Sequence, residues 1–175
     1  VNDIEEDAEG NLWIGTDFNV FFIDSTGTLN SVRSDNFALE GNYVRNLQLD
    51  NAGNLWIGTN DGVFTYNPRA NKMNRFRLPF DEEVLNKEIW EIYKDDEGLL
   101  WIGTYSSGVY LVNPVTSQVS PIDLNPEMER TETVRSVSKG IFGEFWIGTR
   151  GGLYVYSKEK QETSKSMKRR NILLA

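Results

Sequence analysis

Residues suited to binding a sugar or an anion recur at two positions of a repeated sequence. The position after each Trp-Ile-Gly-Thr tetrapeptide holds Asp17, Asn60, Tyr105 and Arg150. A second position, one residue into each of four predicted strands, holds Asn2, Arg45, Trp90 and Arg135, and Tyr43 precedes the second of these strands. An aromatic ring can stack on the apolar face of a sugar, whereas Asn, Asp and Arg bind hydroxyl or carboxylate groups. We therefore expect Trp90 and Tyr105 to stack on a ligand and the three arginines to bind its anionic groups.

These two positions are defined by a sequence repeat that extends well beyond the tetrapeptide. The tetrapeptides contain Trp13, Trp56, Trp101 and Trp146, which lie 43, 45 and 45 residues apart. Twelve residues before each Trp stands a β-branched residue, nine before stands another aliphatic residue, and three before stands Gly. Asp stands six before in three copies, as Asp7, Asp50 and Asp95, and Gly140 replaces it in the fourth. Asp-x-x-Gly is typical of a tight turn, so a hairpin is predicted before each Trp.

Each repeat contains four segments with the composition of strands. The Trp segment is followed by a β-branched and aromatic run such as "VFTYN" at 63–67, and then by a weaker alternating run such as "MNRFRL". Apolar residues do not recur with a helical period. A unit of about 45 residues with four antiparallel strands is typical of a β-propeller blade. The predicted fold class is all-β. Its four blades cover approximately 1–43, 44–88, 89–133 and 134–157 onward, and 158–175 form a last outer strand or a basic C-terminal tail.

The propeller prediction gives three residues of the tetrapeptide, Trp, Gly and Thr, a structural role. The Trp would lie between neighbouring blades, the Gly would let backbones approach closely, and the Thr hydroxyl would bond to the next turn. The loops after the second strand of each blade and the loops between blades share one face. The candidate residues belong to that face, and the interblade loops "SDNFALEGNY" and "PFDEEVLNKE" would wall it.

The repeats "DNAGNLWIGTNDGVFTYNP", "DAEGNLWIGTDFNVFFID" and "DDEGLLWIGTYSSGVYLVNP" resemble the two-component regulator propeller repeat, over residues 1 to about 157. The resemblance implies the periplasmic sensor region of a hybrid two-component histidine kinase. Such a region would recognise oligosaccharides derived from complex polysaccharides and regulate their utilisation. The resemblance implies propellers of about seven blades, so the chain is expected to be an excised part of a larger propeller, although a closed ring of four blades is sterically possible. Its open blade edges would then favour self-association.

Composition excludes several other classes of function. The formal net charge of −8 disfavours nucleic-acid binding, since phosphate backbones would be repelled. The sequence has no Cys and no His, so we expect neither a cofactor nor a metal site. No apolar stretch reaches the length of a membrane span, and direct membrane insertion of this fragment is not expected.

Two other functions fit the same fold. A protein–protein interaction scaffold would use a propeller face or an open blade edge to hold a partner chain. A propeller lyase or hydrolase would have to use carboxylates of the inner strands, such as Asp3, Glu5 and Glu91. Their spacing does not demand catalysis, so the fragment itself is expected to be non-catalytic, and the parent protein would be the kinase.

Overall fold

Sixteen strands form four separate antiparallel sheets in the computed structural model, which describes residues 1–33, 39, 42–79, 87–124, 133–159 and 162–167, the last range by its backbone. The strands of blade 1 are β1 (Asp3–Glu6), β2 (Leu12–Gly15), β3 (Val20–Ile23) and β4 (Leu29–Ser31). Blade 2 contains β5 (Val44–Leu49), β6 (Leu55–Thr59), β7 (Gly62–Asn67) and β8 (Lys72–Phe76). Blade 3 contains β9 (Ile89–Lys94), β10 (Leu100–Thr104), β11 (Val109–Val112) and β12 (Val119–Ile122). Blade 4 contains β13 (Val134–Lys139), β14 (Phe145–Thr149), β15 (Gly152–Ser157) and β16 (Glu162–Met167).

Each sheet is a simple meander in which every strand pairs with its neighbours in sequence. The described residues include no helix, and therefore no helix that could span a membrane. The prediction of an all-β fold built from four-stranded antiparallel blades is confirmed. An outer strand and a basic tail are the two predicted alternatives for 158–175, and within this segment Glu162–Met167 form β16, which pairs with β15. Residues 160, 161 and 168–175 lie outside the described range.

The Asp-x-x-Gly turn has the chemistry predicted for it. Oδ1 of Asp7 accepts hydrogen bonds from the backbone nitrogens of Glu9 (3.1 Å) and Asn11 (2.8 Å), and Gly10 has a φ of 81°. The same carboxylate also accepts a bond of 2.9 Å from Nε1 of Trp13 through its other oxygen. This carboxylate–indole bond recurs at 3.0 and 2.9 Å in the next two blades. The six-residue spacing between Asp and Trp therefore ties the hairpin turn to the repeated Trp in blades 1, 2 and 3.

The fourth blade keeps this link although its turn Asp is replaced by Gly140. Oε1 of Glu144 accepts a hydrogen bond of 3.0 Å from Nε1 of Trp146. Its Oε2 accepts one of 3.1 Å from the backbone nitrogen of Phe142. In blade 4 the longer side chain of Glu144, placed after the turn, therefore accepts the indole hydrogen bond that an Asp placed before the turn accepts in the other three blades.

The Trp and the Gly of the tetrapeptide form a notched face that receives the next blade. Trp13 packs with the apolar residues of blade 2 and lies 5.9 Å from the ring of Tyr66, as predicted for a residue between blades. A β-carbon on Gly15 would lie only 2.8 Å from Cγ1 of Val44. The corresponding distances are 2.9 Å from Gly58 to Ile89 and 2.7 Å from Gly103 to Val134. These three glycines thus make room for the β-branched side chain that begins the next inner strand.

Hydrogen bonds between inner strands reinforce this packing. Side chains of one inner strand accept bonds from backbone nitrogens of the next inner strand. The pairs are Asp3 with Leu47 (2.7 Å), Glu5 with Leu49 (3.1 Å), Asn46 with Ile92 (2.9 Å) and Gln48 with Lys94 (3.0 Å). Two of the three carboxylates considered for catalysis, Asp3 and Glu5, are thus used to join blades 1 and 2.

Blades 1 and 4 each have one face that no other described blade covers. Val1 and Ile4 are 81% and 56% exposed, whereas the equivalent residues of blades 2, 3 and 4 are at most 4% exposed. In the same way Trp146 is only half-buried, whereas the other three repeat tryptophans are buried. Both faces have the shape and chemistry of a blade-to-blade interface.

Candidate functional site

The candidate residues lie at the end of each blade where the second strand turns back. The Thr of every tetrapeptide is the last residue of that strand or, in blade 1, the residue after it. It donates its hydroxyl to a backbone carbonyl of the following turn, as expected from the sequence. The acceptors are the carbonyls of Asn19 (2.8 Å), Gly62 (2.9 Å), Gly108 (2.9 Å) and Gly152 (3.0 Å). The residue after each Thr is therefore held at the start of a tight turn, beside the first residues of the inner strands.

Trp90 is the centre of the polar and aromatic cluster on this face. It lies on β9, between the inner strands of blades 2 and 4. The guanidinium carbon of Arg45 lies 4.7 Å from its ring centroid, and that of Arg135 lies 4.4 Å away. The ring of Tyr105 is 6.3 Å away at an interplanar angle of 30°. Neighbouring inner strands thus bring Arg45, Trp90 and Arg135 together because all three hold the same repeat position.

Glu88 fixes one side of this cluster, and the sequence analysis did not select it. Its Oε1 accepts a hydrogen bond of 2.9 Å from Nη2 of Arg45 in an ion pair, and its Oε2 accepts one of 3.1 Å from Nε1 of Trp90. Nε of Arg45 is buried and has no hydrogen-bond partner among the described residues. Arg45 is consequently neutralised and held against the ring. An acidic residue just before a predicted strand that carries Trp is the sequence signal that could have identified Glu88.

Backbone bonds place Arg150 and Tyr105 at the junction of blades 3 and 4. The backbone nitrogen of Arg150 donates to the carbonyl of Thr133 (3.0 Å), and the Thr133 hydroxyl donates to the carbonyl of Tyr105 (2.6 Å). Arg135 and Arg150 both have exposed side chains. Neither forms a salt bridge with another residue in the described part of the chain.

The remaining candidates lie on blades 1 and 2 and take part in local hydrogen bonds. Oδ1 of Asp17 accepts from Nδ2 of Asn2 (2.9 Å). Oδ1 of Asn60 accepts from the backbone nitrogen of Tyr43 (2.8 Å), and the ring of Tyr43 is 49% exposed. The structure does not place Asp17 and Asn60 in the Trp90 cluster. Most residues of the two interblade loops expected to wall this face lie outside the described residues.

Glu91 is the third carboxylate considered for catalysis. Asp3 and Asn46 hold the same repeat position in blades 1 and 2, and each accepts a hydrogen bond from the next inner strand. The side chain of Glu91 makes no hydrogen bond to another described residue. Burial raises the pKa of Glu91 to about 7, and the negative charge of Asp3 adds to this effect. A carboxyl group with a pKa near neutrality can exchange a proton. Among the described residues no group of three His, Cys, Asp or Glu side chains could hold a metal ion.

A cavity of about 650 Å³ opens between blades 1 and 2 at the opposite ends of the strands. Asp7, Asp50, Tyr66, Pro68 and Arg69 contribute to its lining. Its two aspartates are already bonded to the turn backbones and the indoles. These carboxylates hold the fold together, so the Trp90 cluster is the better candidate for a ligand site.

Comparisons with known proteins agree with this architecture. Residues 1–18, 38–61 and 83–106 match the model of the family described as two component regulator propeller. No curated protein matches the sequence.

Three solved structures illustrate the similarity in fold. Two extracellular domains of hybrid two component systems from B. thetaiotaomicron are similar at 21% and 19% identity. Their TM-scores are 0.79 and 0.72, over 97% and 95% of this chain and 23% and 22% of those chains. A catalytically inactive virginiamycin B lyase from Staphylococcus aureus has a TM-score of 0.69 at 11% identity, over 93% of this chain and 53% of the lyase. The chain thus spans less than a quarter of the length of these two extracellular domains.

Proposed function

Because this chain carries repeats of the two component regulator propeller family, we propose that it belongs to the extracytoplasmic sensor region of a hybrid two-component histidine kinase. In this role it binds oligosaccharides derived from complex polysaccharides, and the parent protein regulates their utilisation. The location is periplasmic, with the kinase on the other side of the inner membrane. The blades themselves are non-catalytic.

The observation that carries the proposal is the cluster of Arg45, Trp90, Tyr105 and Arg135. Three consecutive inner strands and one turn bring two aromatic rings and two guanidinium groups together at one end of the blades. Rings and planar cations at one surface suit a sugar, whose C–H face packs on aromatics while its polar groups accept hydrogen bonds. Trp90 is occupied by the two guanidinium groups, so Tyr105 and the exposed ring of Tyr43 are the surfaces on which a sugar would stack.

A thermal-unfolding screen against neutral and acidic oligosaccharides tests this proposal. A ligand present at about a hundred times its Kd stabilises the native state by roughly 2.7 kcal/mol, which gives a measurable rise in Tm. The rise should disappear in the double variant Tyr105→Ala, Arg150→Ala. It should persist in the control Arg69→Ala, whose substitution lies in the turn between β7 and β8 at the opposite end of blade 2. A screen in which no saccharide shifts Tm contradicts the proposal.

A protein-interaction scaffold is the second candidate, and the uncovered faces of blades 1 and 4 favour it. Ile4 is 56% exposed where its equivalents are buried, so this face is suited to pack against another blade. Size-exclusion chromatography with light scattering distinguishes the two functions. A dimer that is weakened by Ile4→Ser would support the scaffold through self-association. A monomer would leave the saccharide site as the proposed function.

A further inference from the structure

We infer that the candidate site takes an anionic saccharide and that the acidic group of the ligand binds at the junction of blades 3 and 4, beside Arg135 and Arg150. This inference rests on the proposed function, because it names the ligand class of the same site. The inference is based on a difference between Arg45, Arg135 and Arg150: among the described residues, only Arg45 is paired with a carboxylate.

Arg45 already forms an ion pair within the protein. Its Nη2 lies 2.9 Å from Oε1 of Glu88, and its buried Nε faces no polar partner among the described residues. Glu88 is in turn held by Nε1 of Trp90 at 3.1 Å. An incoming anion would have to displace a partly buried carboxylate in order to pair with Arg45, so this arginine orients Trp90 and does not read the ligand.

Arg135 holds the same repeat position on the other side of Trp90, and no described carboxylate pairs with it. Its guanidinium carbon lies 4.4 Å from the Trp90 ring centroid, which limits its motion without neutralising its charge. The side chain is exposed, and in the described part of the chain no carboxylate lies within salt-bridge distance of it. A preoriented and unneutralised guanidinium is suited to bind a carboxylate or a sulfate through two parallel hydrogen bonds.

Arg150 adds a second charge on the same blade that no described carboxylate compensates. The bonds through Thr133 fix its backbone beside the backbone of Tyr105. On the other side of the face, blade 1 presents the carboxylate of Asp17, which among the described residues accepts a hydrogen bond from the neutral amide of Asn2. The charges of the described residues on this face therefore favour an anionic group beside blade 4, with Tyr105 available to pack on the same sugar.

Titration calorimetry with matched saccharide pairs tests the inference. One pair is oligogalacturonides and their methyl esters, which differ in carboxylate charge alone. Another is sulfated chondroitin oligosaccharides and their desulfated, carboxyl-reduced forms, which differ in both sulfate and carboxylate. The anionic member of at least one pair should bind about tenfold more tightly than its neutral counterpart. Its affinity should fall as NaCl is raised.

The variants Arg135→Gln and Arg150→Gln should each weaken binding of the anionic ligand by about tenfold. Arg135→Lys keeps the charge but not the forked geometry, and it should lose less affinity. Arg69→Gln removes one positive charge at the opposite end of the strands and should change affinity little. Equal binding of both members of every pair would overturn the inference and leave the proposed function intact. If none of the saccharides binds, both the inference and the proposed function are overturned.

Discussion

The ammonium group of Lys158 lies 2.8 Å from Oδ2 of Asp95, although the two residues belong to different blades. Burial acts to raise the pKa of Asp95, but hydrogen bonds from Lys158, Trp101 and the backbone of Leu99 outweigh it and hold the pKa below its ordinary value. In blades 1 and 2 an Asn four residues after the turn Asp donates to the same carboxylate oxygen. Blade 3 has Leu99 at that position, so Lys158 supplies the missing donor from blade 4.

Replacing Lys158 by Met should therefore destabilise the chain by roughly 2 kcal/mol, because it leaves a buried carboxylate short of one donor. The second substitution Leu99→Asn should restore part of this loss by recreating the bond of the first two blades. Urea denaturation of the single and double variants measures both effects.

The matched control for this prediction is Lys139→Met. Lys139 forms an ion pair of 2.6 Å with Asp96, whose side chain is 77% exposed. An exposed pair contributes little, so this substitution should have a much smaller effect than Lys158→Met. Equal losses from the two variants would contradict the role assigned to Lys158.

The notch at Gly15 leads to a second prediction. A methyl group there would lie 2.8 Å from Cγ1 of Val44, so Gly15→Ala should destabilise the chain by about 1 to 3 kcal/mol through overpacking. Val44→Ala removes the obstructing carbon, and the double variant should be more stable than the sum of the two single changes predicts. Denaturation midpoints of the four proteins give the coupling energy.

Gly148→Ala is the control for the glycine notch. The added methyl group would meet Oγ of Ser136 in the same blade, a short side chain that can rotate away, and no following blade is present among the described residues. Its cost should be clearly smaller than that of Gly15→Ala. Additive effects of Gly15→Ala and Val44→Ala would show that the notch does not set the spacing between blades.

The repeat made most of the fold predictable from sequence. Fixed spacings around Trp13 and its equivalents predicted the hairpins, the position of the ring between blades and the role of the Thr hydroxyl. Contacts that depend on exceptions to the repeat could not be predicted in this way. Glu144 replaces a missing Asp from the far side of a turn, and Lys158 replaces a missing Asn from the next blade. These two contacts depend on distances between side chains in the folded chain, which cannot be deduced from spacings in the sequence.

The candidate site was predictable to a similar extent. Repeat position alone indicated that Arg45, Trp90 and Arg135 would be neighbours, since equivalent residues of adjacent blades lie side by side. The sequence did not reveal that Glu88 neutralises only one of the two arginines. That asymmetry depends on a residue outside the repeated positions, and it separates an orienting arginine from one that is available to a ligand.

Glu91 leads to a prediction about pH. Its pKa of about 7 in the folded chain exceeds the ordinary value of 4.5, so the folded state binds the proton more tightly than the unfolded state. The stability contributed by the protonated group is complete below pH 4.5 and is lost as pH rises through about 7. Glu91→Gln should therefore stabilise the chain relative to the parent at alkaline pH, by up to roughly 3 kcal/mol.

Denaturation of the parent and of Glu91→Gln across this pH range checks the sign. The difference in the free energy of unfolding should be small in acid and should grow on the alkaline side. Asp3→Asn is an informative companion, because removing the charge of Asp3 should lower the pKa of Glu91 and move the transition to lower pH. A constant difference between the two proteins at all pH values would show that Glu91 does not titrate in this range.

Glu88→Gln tests directly whether the ion pair withholds Arg45 from a ligand. Glutamine can still accept the hydrogen bond from Nε1 of Trp90, so the ring should keep its position while Arg45 loses its counter-charge. Affinity for an acidic oligosaccharide should then rise about fivefold, equivalent to about 1 kcal/mol, since an uncompensated cation is added beside Arg135. Asp96→Asn makes the same charge change at the opposite end of blade 3 and should leave the calorimetric Kd almost unchanged. Unaltered affinity in Glu88→Gln would mean that the ligand does not sense the charge on Arg45.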